Sequence, residues 1–396
     1  MNKNRSNIAK ANGVMDKEVR FGVIGLGGMG LGHCHNLARV PHAGIAAVCD
    51  VGYERSEEAG RTFRVPFFTD HRQMIASRLC NAVIIATPHP FHLGVTLDCM
   101  NAGLHVLCEK PISERVSAAD QMIGSARRNK VAFAVMFQRR LEPVMMKAME
   151  IVRSGQLGCI YRATLISPEY RNQFYYDSGV WRATWKGEGG GVMMNQSPHM
   201  VDIFLQLCGM PVEVLGRVET RSHCIEVEDQ AEAMLRFPEG GIGYVYCSTC
   251  EAGPGQMIEI FGDRGKLILR DEKLSFYRFE PTIRMHMKNS RGMWNKPEVK
   301  EEPLRIHKAR GNLQVKVISN FVRHLLFNEP LVTPGESTMK SLELANAIML
   351  SSYKNRWTKI PINRKEYDDL LSKLQRSSKF KRQKMRAYRE IPPFAR

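Results

Sequence analysis

The sequence predicts an α/β protein, a Rossmann-type parallel-sheet domain followed by an α+β domain with a large, mostly antiparallel sheet. Three observations carry this. Short apolar runs alternate with helical patterns through about residue 140, the rhythm of a doubly wound sheet. A glycine-rich turn, Gly25-Leu26-Gly27-Gly28-Met29-Gly30, follows the first of those runs. Beyond about residue 155, strand-like segments follow one another with few helices between them, as in an antiparallel sheet.

Taken in order, Val19 to Gly25 reads as a buried strand, and a helix is expected from about Met29 to Val40. Gly44 to Cys49, Asn81 to Ala86, Leu104 to Cys108 and Val131 to Phe137 are further strands, with helices at Gly94 to Asn101 and Ala118 to Arg128. The second domain should hold strands at Ile160–Ile166, Val212–Glu219, Gln230–Phe237, Ile242–Ser248, Gln256–Phe261, Lys266–Arg270 and Lys273–Phe279. Two helices return, Val315 to Phe327 and Ser337 to Asn355. The expected units are a tail (1–18), a dinucleotide-binding domain (19–140), a substrate and oligomerisation domain (141–362) and a basic tail (363–396).

With 396 residues the chain is long enough for about two cores, and its 24% charged content is that of a globular protein. No apolar run approaches a membrane span, and the polar stretch Met1 to Arg20 does not resemble a secretory leader. The net charge of +17 raises the question of a polyanion partner. Residues 1–20 hold a net +3, 281–310 a net +5 and 364–396 a net +7, which leaves only +2 elsewhere. The basicity is therefore expected in two ends and one loop, a pattern of solvated segments rather than a nucleic-acid surface. Ten scattered cysteines fit reduced thiols and a cytoplasmic location. The one C-x-x-C, Cys247 to Cys250, has no second pair at zinc-ligand spacing, so no metal is expected.

Three constellations bear chemistry. The G-x-G-x-x-G turn follows a strand, opens a helix, and has Asp50 at the end of the next strand, the setting of a dinucleotide site. Gly25 suits the tight turn, Gly27 lets backbone approach a pyrophosphate, and Gly30 allows helix–strand packing. A carboxylate at Asp50 would accept ribose hydroxyls and repel a 2′-phosphate, favouring NAD over NADP. Arg55, five residues on, weakens that preference. Glu109-Lys110-Pro111 closes another strand, where open parallel sheets bind ligands; by spacing alone it could equally be a surface pair. Finally, Gly189-Gly190-Gly191 precedes Asn195, His199 and Asp202, which share one face at helical spacing. Three polar groups on one stripe suit sugar hydroxyls better than a packed core, and the glycines would let backbone approach a ligand.

Together these motifs, with Ala86-Thr87-Pro88 and His92, resemble the glucose–fructose oxidoreductase and inositol dehydrogenase family, Gfo/Idh/MocA, over roughly residues 19 to 362. The resemblance implies a Rossmann domain joined to a sheet domain whose open face supports homodimers or homotetramers. It implies Lys110 and His199 as catalytic residues, and Leu26, Gly28, Met29, Thr87, Pro88, His92, Glu109 and Gln138 beside the cofactor. Asn195, Asp202, Tyr170, Trp181 and Arg182 are expected to contact substrate. Many members carry aspartate where this chain has Asn195, which shifts the base role to His199 and Lys110.

The expected activity is hydride transfer between NAD and a secondary hydroxyl of a sugar, glycoside or cyclitol. The hydroxyl proton would pass to His199, and protonated Lys110 would stabilise charge on oxygen. An alternative is a redox-neutral, NAD-dependent glycosidase or lyase acting through a 3-keto sugar. A third is a non-catalytic regulator whose basic tail binds a polyanion.

Overall fold

The computed structural model describes residues 18–179, 181–307 and 311–379. Six parallel strands build the first sheet: β1 (Val19–Ile24), β2 (Ala43–Cys49), β3 (Phe67–Phe68), β4 (Ala82–Ile85), β5 (His105–Cys108) and β6 (Phe133–Val135), in the order β3-β2-β1-β4-β5-β6. The continuous apolar runs have a physical cause, since both faces of the sheet are covered. Along β1, Phe21 and Val23 face one apolar core and Ile24 the other; in β4, Ala82 and Ile84 oppose Val83 and Ile85. The strand order reverses between β1 and β4, so a crevice opens beyond their carboxyl ends.

The second sheet has nine strands: β7 (Ile160–Pro168), β8 (Glu213–Glu219), β9 (Gln230–Arg236), β10 (Ile242–Ser248), β11 (Met257–Gly262), β12 (Gly265–Arg270), β13 (Lys273–Glu280), β14 (Glu298–Glu302) and β15 (Thr358–Lys359). They lie in the order β14-β13-β12-β11-β7-β10-β9-β8-β15, antiparallel except where β10 runs parallel to β7. Side chains alternate in burial: Ala163, Leu165, Ala231, Leu235, Val245, Ile258 and Leu267 face the core, whereas Met234, Ile242 and Tyr244 lie on the uncovered side.

Three expectations change. The segment 281–310 is not simply a loop, because it contains a short helix (Ile283–Asn289) and edge strand β14. That strand, Glu-Val-Lys-Glu-Glu, has little apolar signal; charge pairs across to β13 (Lys300 to Glu280, 2.6 Å; Arg278 to Glu302, 2.7 Å) hold it. The helix Leu313–Phe327, expected in the second domain, returns to the first: Val317, Ile318 and Phe321 share a core with Phe21 and Leu37. Asn36 also donates to Gln314 across that junction (2.9 Å). The expected basic tail begins with a helix, Arg364–Ser377, that buries Tyr367 and Leu371. Asn363 caps it by accepting from Glu366 N (3.1 Å). Residues 1–17 and 380–396 of the two expected tails lie outside the described residues.

Candidate active site

The glycine turn is built as the spacing requires. Gly25 has φ +90° and lies against Ala86 and Thr87, where a Cβ would come within 2.7 Å of the Ala86 carbonyl carbon. A Cβ on Gly30 would meet the Gly25 carbonyl oxygen at 1.7 Å. Gly27 differs, since its Cβ would project into open space. It is the cap of the helix Gly28–Leu37, which has no side-chain cap, so the first-turn N–H groups of Gly28 and Met29 point at whatever approaches. Leu26 is buried beneath this turn, and its N–H donates to Asp50 Oδ2 at 2.8 Å. Asp50 Oδ1 accepts from Gly52 N and from Arg55, each at 2.8 Å. Asp50 thus ties β2 to the glycine turn and pairs with Arg55, the cation that the sequence set against its preference for NAD.

At the ends of β4 and β5 the expected cofactor residues divide into two groups. Thr87 and Pro88 are half-buried beside Gly25, and the Thr87 hydroxyl and the Gln138 side-chain oxygen are buried without partners. Polar atoms left so are available to a ligand. His92 and Glu109 serve a different purpose. His92 is fully buried, with its ring nitrogens 3.0 Å from Pro111 O and 2.9 Å from Thr87 O. Its packing leaves no surface for a cofactor; it clamps the two loops that frame one. Glu109 is buried against His33 of the glycine-turn helix (2.7 Å) and accepts from Lys110 N (3.1 Å). Burial pushes Glu109 up, but His33 and Lys110 outweigh it and hold the carboxyl below its ordinary range.

Lys110 reaches across to the second domain, where its Nζ donates to the Asn195 carbonyl at 2.8 Å. The glycines before Asn195 approach protein, not ligand. Gly189 (φ +77°) lies against Glu114, and a Cβ on Gly191 would sit 1.8 Å from the Glu228 carbonyl oxygen. The helix starts at Pro198, so Asn195 lies in the preceding turn and His199 in the first helical turn. Asn195 donates to Glu188 Oε1 (2.5 Å) and to the Tyr175 hydroxyl (3.3 Å). Arg182 donates to the same hydroxyl at 2.7 Å and lies 4.5 Å from the ring centroids of Tyr175 and Trp181. Lys110, Asn195, His199, Trp181 and Arg182 are partly exposed among buried neighbours, which makes a crevice.

Two expected substrate contacts fall outside it. Asp202, 1% exposed, is held by Arg140 Nε (2.7 Å) and Nη2 (2.5 Å); the buried guanidinium captures it before any ligand could. Tyr170 is 53% exposed, whereas Tyr175, five residues on, accepts from Arg182 and Asn195.

Sequence reasoning missed Glu188, His89 and Glu169. His89 bonds the Glu188 carbonyl oxygen (3.1 Å) and its ring lies 6.1 Å from Trp181. Burial drives His89 well below the ordinary histidine range, helped by His92 and Lys110. Glu188 and Glu169 are pushed up by burial against the pull of nearby cations. Burial lowers Lys110, partly offset by Glu109, Glu169 and Glu188. His199 is driven well below its range by burial, then by Lys110 and Arg139, and its Nδ1 is buried without a partner. Lys110 bonds the turn at Asn195, four residues before His199, so the ammonium approaches the first turn of the helix that carries the imidazole. The signal for Glu188 was its place directly before the three glycines.

His223, Asp229 and Cys250 of the C-x-x-C segment come together at ligand spacing. Asp229 Oδ2, however, already accepts from Ser222 N, His223 N and His223 Nδ1 (2.9 Å each). That carboxylate closes a turn and has little capacity left for a cation.

The chain matches two family models, an oxidoreductase family NAD-binding Rossmann fold over residues 19–137 and the GFO/IDH/MocA C-terminal domain over 145–268. It is 27% identical over 260 residues to an uncharacterised oxidoreductase, YrbE, of Bacillus subtilis, covering 63% of this chain and 73% of that one. Identity to the myo-inositol 2-dehydrogenase of Thermotoga maritima is 27% over 256 residues, covering 63% and 74%. Among solved structures, the WlbA dehydrogenase of Bordetella pertussis with NADH and UDP-GlcNAcA superposes with a TM-score of 0.74 at 24% identity, covering 87% of this chain and 100% of that one. Levoglucosan dehydrogenase with NADH and levoglucosan gives 0.72 at 20%, with the same coverage. The chain belongs to the Gfo/Idh/MocA oxidoreductases, with that family's NAD-binding Rossmann domain and C-terminal domain.

Proposed function

We propose that this chain is a dehydrogenase that moves hydride between NAD and a secondary hydroxyl of a sugar, glycoside or cyclitol. The observation that carries the reading is the Lys110 to Asn195 bond (2.8 Å), which brings an ammonium from the Rossmann domain onto the turn of the second domain that leads, four residues on, into His199. The dehydrogenases named above, acting on inositol and levoglucosan, support the substrate class.

The residues present fit a dinucleotide. The open side of Gly27, the uncapped helix at Gly28 and the unpaired Thr87 and Gln138 oxygens form a track from the pyrophosphate position toward Lys110. Asp50 at the end of β2 favours a ribose hydroxyl over a 2′-phosphate, hence NAD, and Arg55, paired with it at 2.8 Å, works against that preference. The cofactor, when bound, supplies the hydride acceptor. Lys110 donates a hydrogen bond to the substrate oxygen and steadies the charge that develops there. His199 takes the hydroxyl proton. Burial, then Lys110 and Arg139, hold the ring well below its ordinary range, so it is neutral before the reaction and readily gives up to solvent the proton it takes. Glu188, through Asn195, orients both. The apolar open face around Met234, Ile242 and Tyr244 supports self-association as a homodimer or homotetramer.

Replacing Lys110 with methionine is the direct test. NADH formation with a panel of sugars and inositols should fall by about 10²–10⁴-fold, while NAD affinity changes little. Full activity in that variant, or cleavage of glycosides by the wild type without NADH accumulating, would refute the reading.

A further inference from the structure

Arg182 is a partly exposed cation in the crevice that forms no ion pair among the described residues. Its neighbours are paired: Arg139 with Glu142 (2.8 Å) and Arg171 with Glu169 (3.7 Å). Among the described residues no carboxylate lies within ion-pair distance of Arg182. Glu188 acts on it electrostatically, but both Glu188 oxygens are taken, one by Asn195 and one by Ala183 N, each at 2.5 Å. Lys110 likewise goes to a carbonyl oxygen rather than a carboxylate. The two charges oppose one another, for Arg182 makes a protonated Lys110 costlier, and both do so for His89.

The fork of Arg182 is also held ready. Its guanidinium carbon lies 4.5 Å from the centroids of both the Tyr175 and Trp181 rings, and one N–H goes to the Tyr175 hydroxyl. A guanidinium has five N–H groups, and the others find no protein acceptor among the described residues. Arg182 (2.7 Å), Gln196 (3.2 Å) and Asn195 (3.3 Å) all direct N–H groups at that hydroxyl, so its acceptor capacity is used up. The fork therefore keeps N–H groups without a protein acceptor among the described residues, and a planar fork of this kind matches an oxyanion in bidentate fashion.

We infer that the substrate carries an oxyanion, carboxylate or phosphoryl, on its hydroxylated skeleton, and that Arg182 binds it while Lys110 and His199 act on a nearby hydroxyl. This deepens the dehydrogenase reading and rests on it for the chemistry, though not for the binding.

The test compares D-glucuronate, D-glucose 6-phosphate and D-glucose as substrates for NADH formation by the full-length wild type, Arg182→Gln and Arg182→Lys, with melting curves to verify folding. One anionic probe should exceed D-glucose in kcat/KM by about 10- to 100-fold, the worth of a charged hydrogen bond. Which of the two does so identifies the oxyanion. Arg182→Gln should erase that margin and Arg182→Lys should keep part of it. Tyr175→Phe, which retains the ring but frees the fork, should weaken the anionic probe by a smaller factor. D-glucose matching or exceeding both anions, or Arg182→Gln lowering all three probes equally, overturns the inference. If none of the three reduces NAD, calorimetric titration of the NAD-loaded protein decides. Saturable binding of an anionic probe that Arg182→Gln abolishes upholds the oxyanion site while the dehydrogenase reading fails; no binding of either anion refutes it.

Discussion

Asp202 gives the clearest test of whether structure or spacing reads this site correctly, because spacing puts it on the substrate and structure puts it on Arg140. The pair is sealed, Asp202 being 1% and Arg140 4% exposed. Burial pushes the Asp202 carboxyl above its ordinary range although Arg140 pulls it down, so their attraction does not fully offset desolvation. Asp202→Ala should therefore cost about 3–5 kcal/mol, the penalty for an abandoned buried charge. Arg140 would keep only its bonds to Val332 O (3.1 Å) and Ser337 Oγ (2.8 Å). Replacing both partners, Arg140→Met with Asp202→Leu, should recover most of that loss, since an apolar pair of similar volume removes both charges from the interior. Urea unfolding followed by circular dichroism measures each corner of the cycle, and KM is measured on the folded fraction. An Asp202→Asn protein with wild-type stability but a tenfold higher KM for sugar would refute this assignment and restore the carboxylate to the substrate.

Other substitutions separate binding from folding. Gly27→Ala meets no protein atom and should leave thermal stability unchanged while raising the Kd for NAD at least about tenfold; Gly30→Ala, which strikes the Gly25 carbonyl, should fail to fold, as judged by expression and melting. Burial, offset in part by backbone donors and reinforced by Glu188, raises the Glu228 carboxyl from 4.5 to about 7. The folded chain then binds more protons than the unfolded one between these values, so stability falls as pH rises through that window, by about 3 kcal/mol in all. Glu228→Gln should flatten that slope and be the more stable protein at pH 8; a Gln variant less stable there would contradict it. Leu371→Ala should cost about 2–5 kcal/mol in denaturant unfolding if the Arg364–Ser377 helix belongs to the fold, and nothing if it is a tail.

The Rossmann half was legible because its sheet is covered on both faces, so strands appear as unbroken apolar runs and the glycine turn follows from sterics alone. The Arg364–Ser377 helix was legible in principle: Asn363 followed by Glu366 is a capping pattern, and Tyr367, Leu370, Leu371 and Leu374 repeat at helical spacing. Net charge obscured it, because charge sums ignore which face a residue occupies. Strand β14 offered no such pattern, since its stabilisation lies in partners some twenty residues away. The site divided along the same line. Lys110 and Asn195 meet because each sits on a turn, one after β5 and one before the helix that carries His199. Asp202, His92 and Glu109 look functional in sequence, but each is claimed by a buried partner from a distant segment, Arg140, Thr87 with Pro111, and His33 respectively.

The presence of asparagine rather than aspartate at position 195 has a reason in the same geometry. The amide nitrogen donates to Glu188 at 2.5 Å, and the amide oxygen lies 3.4 Å from Lys110 Nζ, so one side chain faces an acid on one side and a cation on the other. An aspartate would set two carboxylates against each other in a buried space, and one of them would have to hold a proton. Asparagine avoids that conflict, and in doing so it leaves Lys110 without a carboxylate partner at bonding distance. Burial then holds the lysine below its ordinary range, against the pull of Glu109, Glu169 and Glu188, none of them bonded to its ammonium among the described residues.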